Sequence, residues 1–394
     1  MHAKPRLASV RKKPRRAAAS HGAVLPPASY WRRLAPGLHV DDAQFASACV
    51  PLVLPDSRLA QLRLQLRRDG FFKLAPHEMP WSVSLTHMRR AVKRLVGRGW
   101  PASLLLMYDE VWAMAWQLSG VMQAVSGCVN ALDTLAWMVT PALGQSGFAP
   151  HRDRQPTDVR ASFRPDGTPK YCTAWVALSE ASADTSCLYV VPRGVDPGYD
   201  AGDDHSAAAE DPLARVLKSD EAVQAVTACH LRPGGAVFFS HRVMHWGSRG
   251  RRDCERPRIS VSFGCADPSF ERPYFKKPAA HLPFPKPSLR AALVSAQLIN
   301  YHERFEFSVS LLRCFGATFR AKRKMFATEY AEKTAAEFKA ACEDSAARAR
   351  AATASTASDD EEDAALDDAL DAMLDAQRKS SSNLFDDFDE MEGS

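Results

Sequence analysis

The apolar positions of this chain change period twice. In "PDSRLAQLRLQLRRDGFFKL" (55–74), Leu59, Leu62 and Leu66 recur on one helical face, Asp56 or Ser57 can cap the start, and Gly70 stops the helix. "FFKL" then reads as a strand. Further helices are predicted over 82–96 and 110–129. The second is apolar nearly all round, with Val111, Trp112, Met114, Trp116 and Leu118, the pattern of a buried helix. From residue 133 the texture shifts to short β-branched and aromatic runs: "LAWMVTP" (135–141), "YCTAWVALS" (171–179), "SCLYVVP" (186–192), "AVFFS" (236–240) and "RISVSFG" (258–264). Irregular loops rich in Gly, Pro and Asp separate them. That spacing predicts a double β-sheet behind a helical front and argues against alternating βαβ units. Helices return at 289–302 and 304–350.

Charge divides the chain more sharply than hydropathy does. Residues 1–20 hold seven Lys or Arg and no acid, whereas 359–394 hold fourteen Asp or Glu against Arg378 and Lys379. These ends are expected to be disordered tails, basic over 1–30 and acidic over 351–394. They bracket a catalytic-sized domain over 31–290 and a helical extension over 291–350. Within the acidic tail Leu366, Leu370, Met373 and Leu374 share one face of a transient helix, a candidate docking element for a protein partner. No apolar run is long enough to span a membrane. The nine cysteines show no CxxC pair, which points to free thiols in a reducing, intracellular compartment. The cytoplasm fits this, and the basic start leaves an organelle or the nucleus open.

Candidate chemistry begins at "FAPHRD" (148–153). On extended backbone His151 and Asp153 point the same way, because strand side chains alternate with period two. One imidazole and one carboxylate make two legs of a facial metal triad, which needs a second histidine and open positions for ligands. "GGAVFFSHRVMHWGSRG" (234–250) offers His245 after an apolar strand, with His241 as the alternative. "RPRISVSFG" (256–264) then supplies Arg258 with Ser260 on the same face. An arginine fork there can bind a carboxylate through two parallel bonds, and Arg256 is its rival.

In this order, "GFAPHRD", "YCTAWVALSEASADTSCLYVVPRG", "GGAVFFSHRVMHWGS" and "RPRISVSFGCADPSF" resemble the phytanoyl-CoA dioxygenase family of Fe(II)/2-oxoglutarate oxygenases, with "DGFFKL" resembling its opening. The resemblance covers roughly residues 45–275. It implies a double-stranded β-helix (jelly-roll, cupin-like) core with flanking helices, α+β and mainly β. It also implies Fe(II) as metal, with 2-oxoglutarate and dioxygen as co-substrates. The implied ligands are His151, Asp153 and His245, the 2-oxoglutarate arginine Arg258, and Trp175 and Ser248 beside the co-substrate. Halogenating relatives replace the carboxylate with a small residue, so Asp153 implies hydroxylation. "PRGVDPG" (192–198) departs from the family's usual run by lacking a histidine, and Trp246 stands between His245 and Gly247. A small organic or lipid-like substrate is expected. The alternatives are a catalytically inactive scaffold and a nucleic-acid-directed oxygenase, the latter resting on the basic start and the basic loop 154–170. No zinc finger or aromatic-basic RNA motif accompanies that basicity.

Overall fold

Strand β8 (Arg258–Ala266) shows how one chain segment serves two purposes. Ile259, Val261, Phe263 and Cys265 enter the main apolar core, while Arg258, Ser262 and Gly264 face the other way and line a cavity. Both faces are covered, so eight of its nine residues are buried even though apolar residues alternate with polar or small ones. The structure is a computed structural model and describes residues 22–202, 212–276, 284–305, 307–348 and 350. The expected basic tail up to residue 21 and the acidic tail with its apolar stripe lie outside the described residues.

β8 belongs to a five-stranded antiparallel sheet. Its order is β1 (Phe71–Leu74), β6 (Ala236–Ser240), β3 (Tyr171–Ala177), β8 and β2 (Val129–Val139). A three-stranded sheet faces it, ordered β5 (Thr227–Cys229), β4 (Leu188–Val190) and β7 (His245–Gly247). Val237 and Phe239 of β6 and Trp175 and Ala177 of β3 meet Leu188 and Val190 in a small core between the sheets. Their sequence neighbours Phe238, Ala174 and Val176 turn to the helices. This is a jelly-roll, a double-stranded β-helix with helices packed on its larger sheet.

The helices are α1 (Ala28–Leu34), α2 (Ala43–Ser47), α3 (Asp56–Asp69), α4 (Leu85–Gly97) and α5 (Asp109–Ser126) before β2. Between β4 and β5 lie α6 (Gly198–Ala201), α7 (Pro212–Val216) and α8 (Asp220–Ala225). After β8 come α9 (Pro287–Asn300), α10 (Val309–Arg320) and a helix across 328–348. Gly70 ends α3 at φ +81°, as its position suggests, but neither Asp56 nor Ser57 is the cap. Pro55 occupies that place, and Asp56 sits in the first turn, where its charge complements the helix dipole. The single helix expected over 304–350 is broken. Residues 325–327 instead pair their backbone with 274–276, through Lys276 N to Met325 O (3.0 Å) and Ala327 N to Tyr274 O (2.9 Å). No Gly or Pro marks that break, because it is made by tertiary pairing.

The ends of the described chain are packed, not peripheral. Leu25, within the stretch expected to be tail, is buried and its N–H donates to Thr318 Oγ1 at 2.9 Å. Residues of α9, α10 and the last helix share one core with the outer face of the sheet. All nine cysteines are free and seven are buried. Among the described residues no helix is long and apolar enough to cross a membrane.

One irregularity matters for the site. β2 bulges between Asn130 and Asp133, and Leu132 takes φ +70°, unusual for a branched side chain. Side chains satisfy the backbone groups so exposed. Leu132 N donates to Asn130 Oδ1 at 2.8 Å, and Gln297 Nε2 of α9 donates to Leu132 O at 2.6 Å. Gln297 is 1% exposed, so truncating it strands a buried carbonyl. Gln297→Ala is expected to cost about 1–3 kcal/mol in urea unfolding. An unchanged unfolding midpoint would show that the bulge holds without it.

Candidate metal centre

The two histidines of the triad are joined first by backbone. His151 N donates to His245 O and His245 N to His151 O, each at 3.0 Å, an isolated antiparallel bridge that adds His151 to the edge of β7. The approach is tight just beyond this pair. A Cβ built on Gly147 would lie 2.4 Å from Gly247 Cα, so only glycines allow the two segments to touch there. Alternation then separates three consecutive side chains. His151 and Asp153 enter the cavity, while Arg152 turns away and is buried in a bidentate pair with Asp196 (2.6 and 2.9 Å). That pair ties down "PRGVDPG", where no histidine stands.

Asp153 Oδ1 lies 3.7 Å from His151 Nε2 and 3.5 Å from His245 Nε2, and one ligand atom from each residue falls within 4.8 Å of the others. Each imidazole aims its other nitrogen at a carbonyl. His151 Nδ1 is 2.7 Å from Ala149 O and His245 Nδ1 is 3.0 Å from Val243 O. A carbonyl can only accept, so Nδ1 carries the proton and Nε2 turns a lone pair to the cluster. Burial, and then the neighbouring His245 ring, bring the His151 pKa down to about 4. For Asp153, burial works against the charge, yet the two imidazoles and a 2.5 Å bond from Thr173 Oγ1 hold its carboxyl below the usual range. The cluster thus presents two imidazole nitrogens and a carboxylate converging on one point, a donor set that suits a divalent metal with open positions.

A cavity of about 350 Å³ adjoins it. Arg258 is buried at its wall, where Nε donates to Ser186 O (3.0 Å) and one Nη to Ser260 Oγ (2.8 Å), with the guanidinium carbon 5.3 Å from the Trp175 ring centre. No carboxylate among the described residues pairs with it. Ser260 positions this fork and is not itself a cavity residue. Arg256 is at the surface, paired with Glu180 at 2.7 Å. His241 is fully buried away from the cluster, Nδ1 3.1 Å from Tyr171 O and Nε2 2.9 Å from Ser162 Oγ. Ser248 does not line the cavity; its hydroxyl is buried without a hydrogen-bond partner, and its carbonyl accepts a short bond from Ser186 Oγ. Trp246 stacks on Tyr189, outside the cavity.

Other cavity residues were not expected from sequence. Tyr171 and Thr173 share the face of Trp175 in β3, so period-two counting from Trp175 would have found them. Asp133, delivered by the bulge, accepts from Arg154 Nη2 (3.0 Å), Tyr171 OH (3.0 Å) and Tyr301 OH (3.1 Å). Gly264 opposite makes room, since a Cβ there would collide with the Tyr171 hydroxyl. Tyr301 and Arg304 arrive from the end of α9, and no local signal announces them. The basic loop 154–170 is largely consumed internally. Arg154 pairs with Glu271 and Asp133, Arg164 with Asp267, and Lys170 Nζ donates to Ala161 O.

Residues 80–257 match the profile of the phytanoyl-CoA dioxygenase (PhyH) family, just under half of the chain. The matched segment contains His151, Asp153 and His245 and ends one residue before Arg258. No curated protein sequence matches. Among solved structures, the chain is similar to the non-haem α-ketoglutarate-dependent epimerase SnoN from nogalamycin biosynthesis, with 19% identity, 54% of this chain and 84% of that chain covered, and a TM-score of 0.39. It is also similar to HygX from Streptomyces hygroscopicus with nickel and 2-oxoglutarate bound, with 16% identity, coverages of 54% and 87%, and a TM-score of 0.36. EctD from S. alaskensis, in its apo form, aligns with 15% identity, coverages of 59% and 84%, and a TM-score of 0.35.

Burial drives the His241 pKa down to about 3, well below its unfolded value. The unfolded chain therefore binds a proton that the folded one refuses over the interval from about pH 6.5 down to about 3. This group's contribution is full above that interval and is lost as pH falls through it, at roughly 1.4 kcal/mol per pH unit. In urea unfolding of metal-free protein, His241→Gln is expected to give a shallower loss of stability between about pH 6 and 4 than the parent. Parallel curves would show that His241 does not resist protonation.

Proposed function

We propose, from the premise that residues 80–257 are a phytanoyl-CoA dioxygenase-family domain, that this protein is an Fe(II)- and 2-oxoglutarate-dependent oxygenase hydroxylating a small organic or lipid-like substrate. The observation that carries the proposal is the convergence of two Nε2 atoms on one Asp153 oxygen, with both Nδ1 protons fixed on carbonyls. His151, Asp153 and His245 are the ligands, and 2-oxoglutarate and dioxygen are the co-substrates. These three residues would hold Fe(II), which with 2-oxoglutarate would supply the dioxygen activation needed for C–H oxidation.

The remaining work belongs to the chain. Thr173 keeps Asp153 ionised and turned to the metal. Arg258 receives the far carboxylate of 2-oxoglutarate; it is buried, and among the described residues no acid pairs with it. Ser260 and the Ser186 carbonyl hold the fork, and Trp175 walls it. The apolar wall of Leu135, Val139, Leu188 and Phe239 shields the reacting centre from water. The carboxylate of Asp153 completes the protein's donor set, which favours hydroxylation. No particular observation favours an inactive scaffold or a nucleic-acid-directed oxygenase, and two of the four basic residues in the loop, Arg154 and Arg164, are already ion-paired.

Anaerobic titration with Fe(II) and 2-oxoglutarate is expected to give the weak visible charge-transfer band of the chelate, and His151→Ala or His245→Ala to abolish it. Well-folded protein without the band would sink the assignment. Arg258→Gln should weaken 2-oxoglutarate roughly tenfold to a hundredfold, while Arg256→Gln changes it little. The reverse order would mean that the surface arginine is the anchor.

A further inference from the structure

Besides Arg258 and the ion-paired Arg154, the cavity holds an arginine that the oxygenase reading leaves unused. Arg304 stands at its mouth, exposed, in the short turn His302–Arg304 that follows α9. Arg152, Arg154 and Arg256 each meet a carboxylate nearby, whereas Arg304 forms no ion pair among the described residues. The one other acid lining the cavity outside the triad, Asp133, is already saturated by Arg154, Tyr171 and Tyr301. Among the described residues no acid is therefore placed to cancel this charge.

Its surroundings define what could. The guanidinium carbon lies 5.1 Å from the Phe148 ring centre, and Phe148 meets the His151 ring edge-on at 5.8 Å, so a single aromatic ring separates the cation from a ligand histidine. Trp137 packs edge-on to Phe148 at 4.4 Å and is stacked from behind by Phe305 at 4.6 Å, which fixes this floor. The path from mouth to metal is thus cationic at its outer end and apolar along its length.

Building on the oxygenase reading, we propose that Arg304 is the substrate anchor. The substrate is a compact amphipathic acid whose carboxylate or phosphate sits on Arg304 and whose hydrocarbon part lies across Phe148 and Trp137 towards the metal. A guanidinium suits both anions, because its fork matches two oxygens at once. Stacking over Phe148 restrains the fork, which lowers the ordering cost of binding.

The test uses full-length protein, metal-free and again loaded anaerobically with Fe(II) and 2-oxoglutarate. Hexanoate is compared with hexanamide, and hexyl phosphate with hexanol, by calorimetric titration. The acids are expected to bind at least about tenfold tighter than their neutral partners. Arg304→Gln should erase that preference and Arg304→Lys retain part of it, with 2-oxoglutarate affinity changing less than about twofold. Whichever acid shows the larger preference names the head group. Equal or absent binding of acids and neutral partners overturns the anchor, as does a preference that survives Arg304→Gln. A tenfold loss of 2-oxoglutarate affinity in that variant also overturns it and assigns Arg304 to the co-substrate. Failure to load iron and 2-oxoglutarate would instead strike the oxygenase reading, and the acid preference of metal-free protein would still decide Arg304.

Discussion

Two reciprocal backbone bonds between His151 and His245 are the constraint on which the site depends. They join segments almost a hundred residues apart and fix both Cα positions before any side chain acts. The Gly147–Gly247 contact lets the segments close. Arg152, anchored on Asp196, holds the other side of the same strand-like stretch. His151 and Asp153 are thereby left to the cavity by alternation alone. A metal would tighten this arrangement, but the backbone has already paid the larger entropic cost of assembling it.

The same alternation builds core and cavity from one set of strands. In β8, β3 and β6 every second residue is apolar and packs on helices, while its neighbours line the cavity or join the small core between sheets. A side chain cannot change face without a register slip, so the cavity wall is specified as strongly as the core. The exception is the bulge at Leu132, which costs an unusual φ and re-aims Asp133 into the polar end of the cavity. Strain of this sort persists only where the surroundings over-determine it. Here Asn130, Gln297, Tyr171 and Arg154 do so.

What was legible in the sequence follows from these rules. β1, β3, β6 and β8 were readable because each carries a run of β-branched or aromatic residues bounded by turn residues, and α3 because Leu62 and Leu66 recur above Gly70. Spacing offered His151, Asp153, His245 and Arg258 as candidates beside His241 and Arg256, the family resemblance chose among them, and the structure lines one cavity with those four. The three-residue strands β5 and β7 are too short to show a period. Ser248 came only from the resemblance and Ser260 from sharing the Arg258 face; neither argument says which way a hydroxyl turns, and the structure puts Ser260 on the Arg258 fork and Ser248 outside the cavity. Tyr301, Arg304 and the break before residue 328 depend on contacts between distant segments, and no window of sequence contains both partners.

α9 and the turn after it are therefore part of the site and not an appendage to it. α9 supplies Gln297 to the bulge, and the turn after it supplies Tyr301 to Asp133 and Arg304 to the cavity mouth. Its first turn buries Arg290 against Asp109 of α5 at 2.5 Å, with Met107 and Pro285 carbonyls taking further bonds. A buried charge pair of this kind contributes little net stability but is costly to break, because either partner alone would be stranded. It consequently fixes where α9 sits relative to the sheet. Position is what the site needs from this helix. A shift of α9 would move the bulge clamp, the Asp133 partner and the mouth arginine together, so packing on the helical side and the shape of the cavity are one mechanical unit.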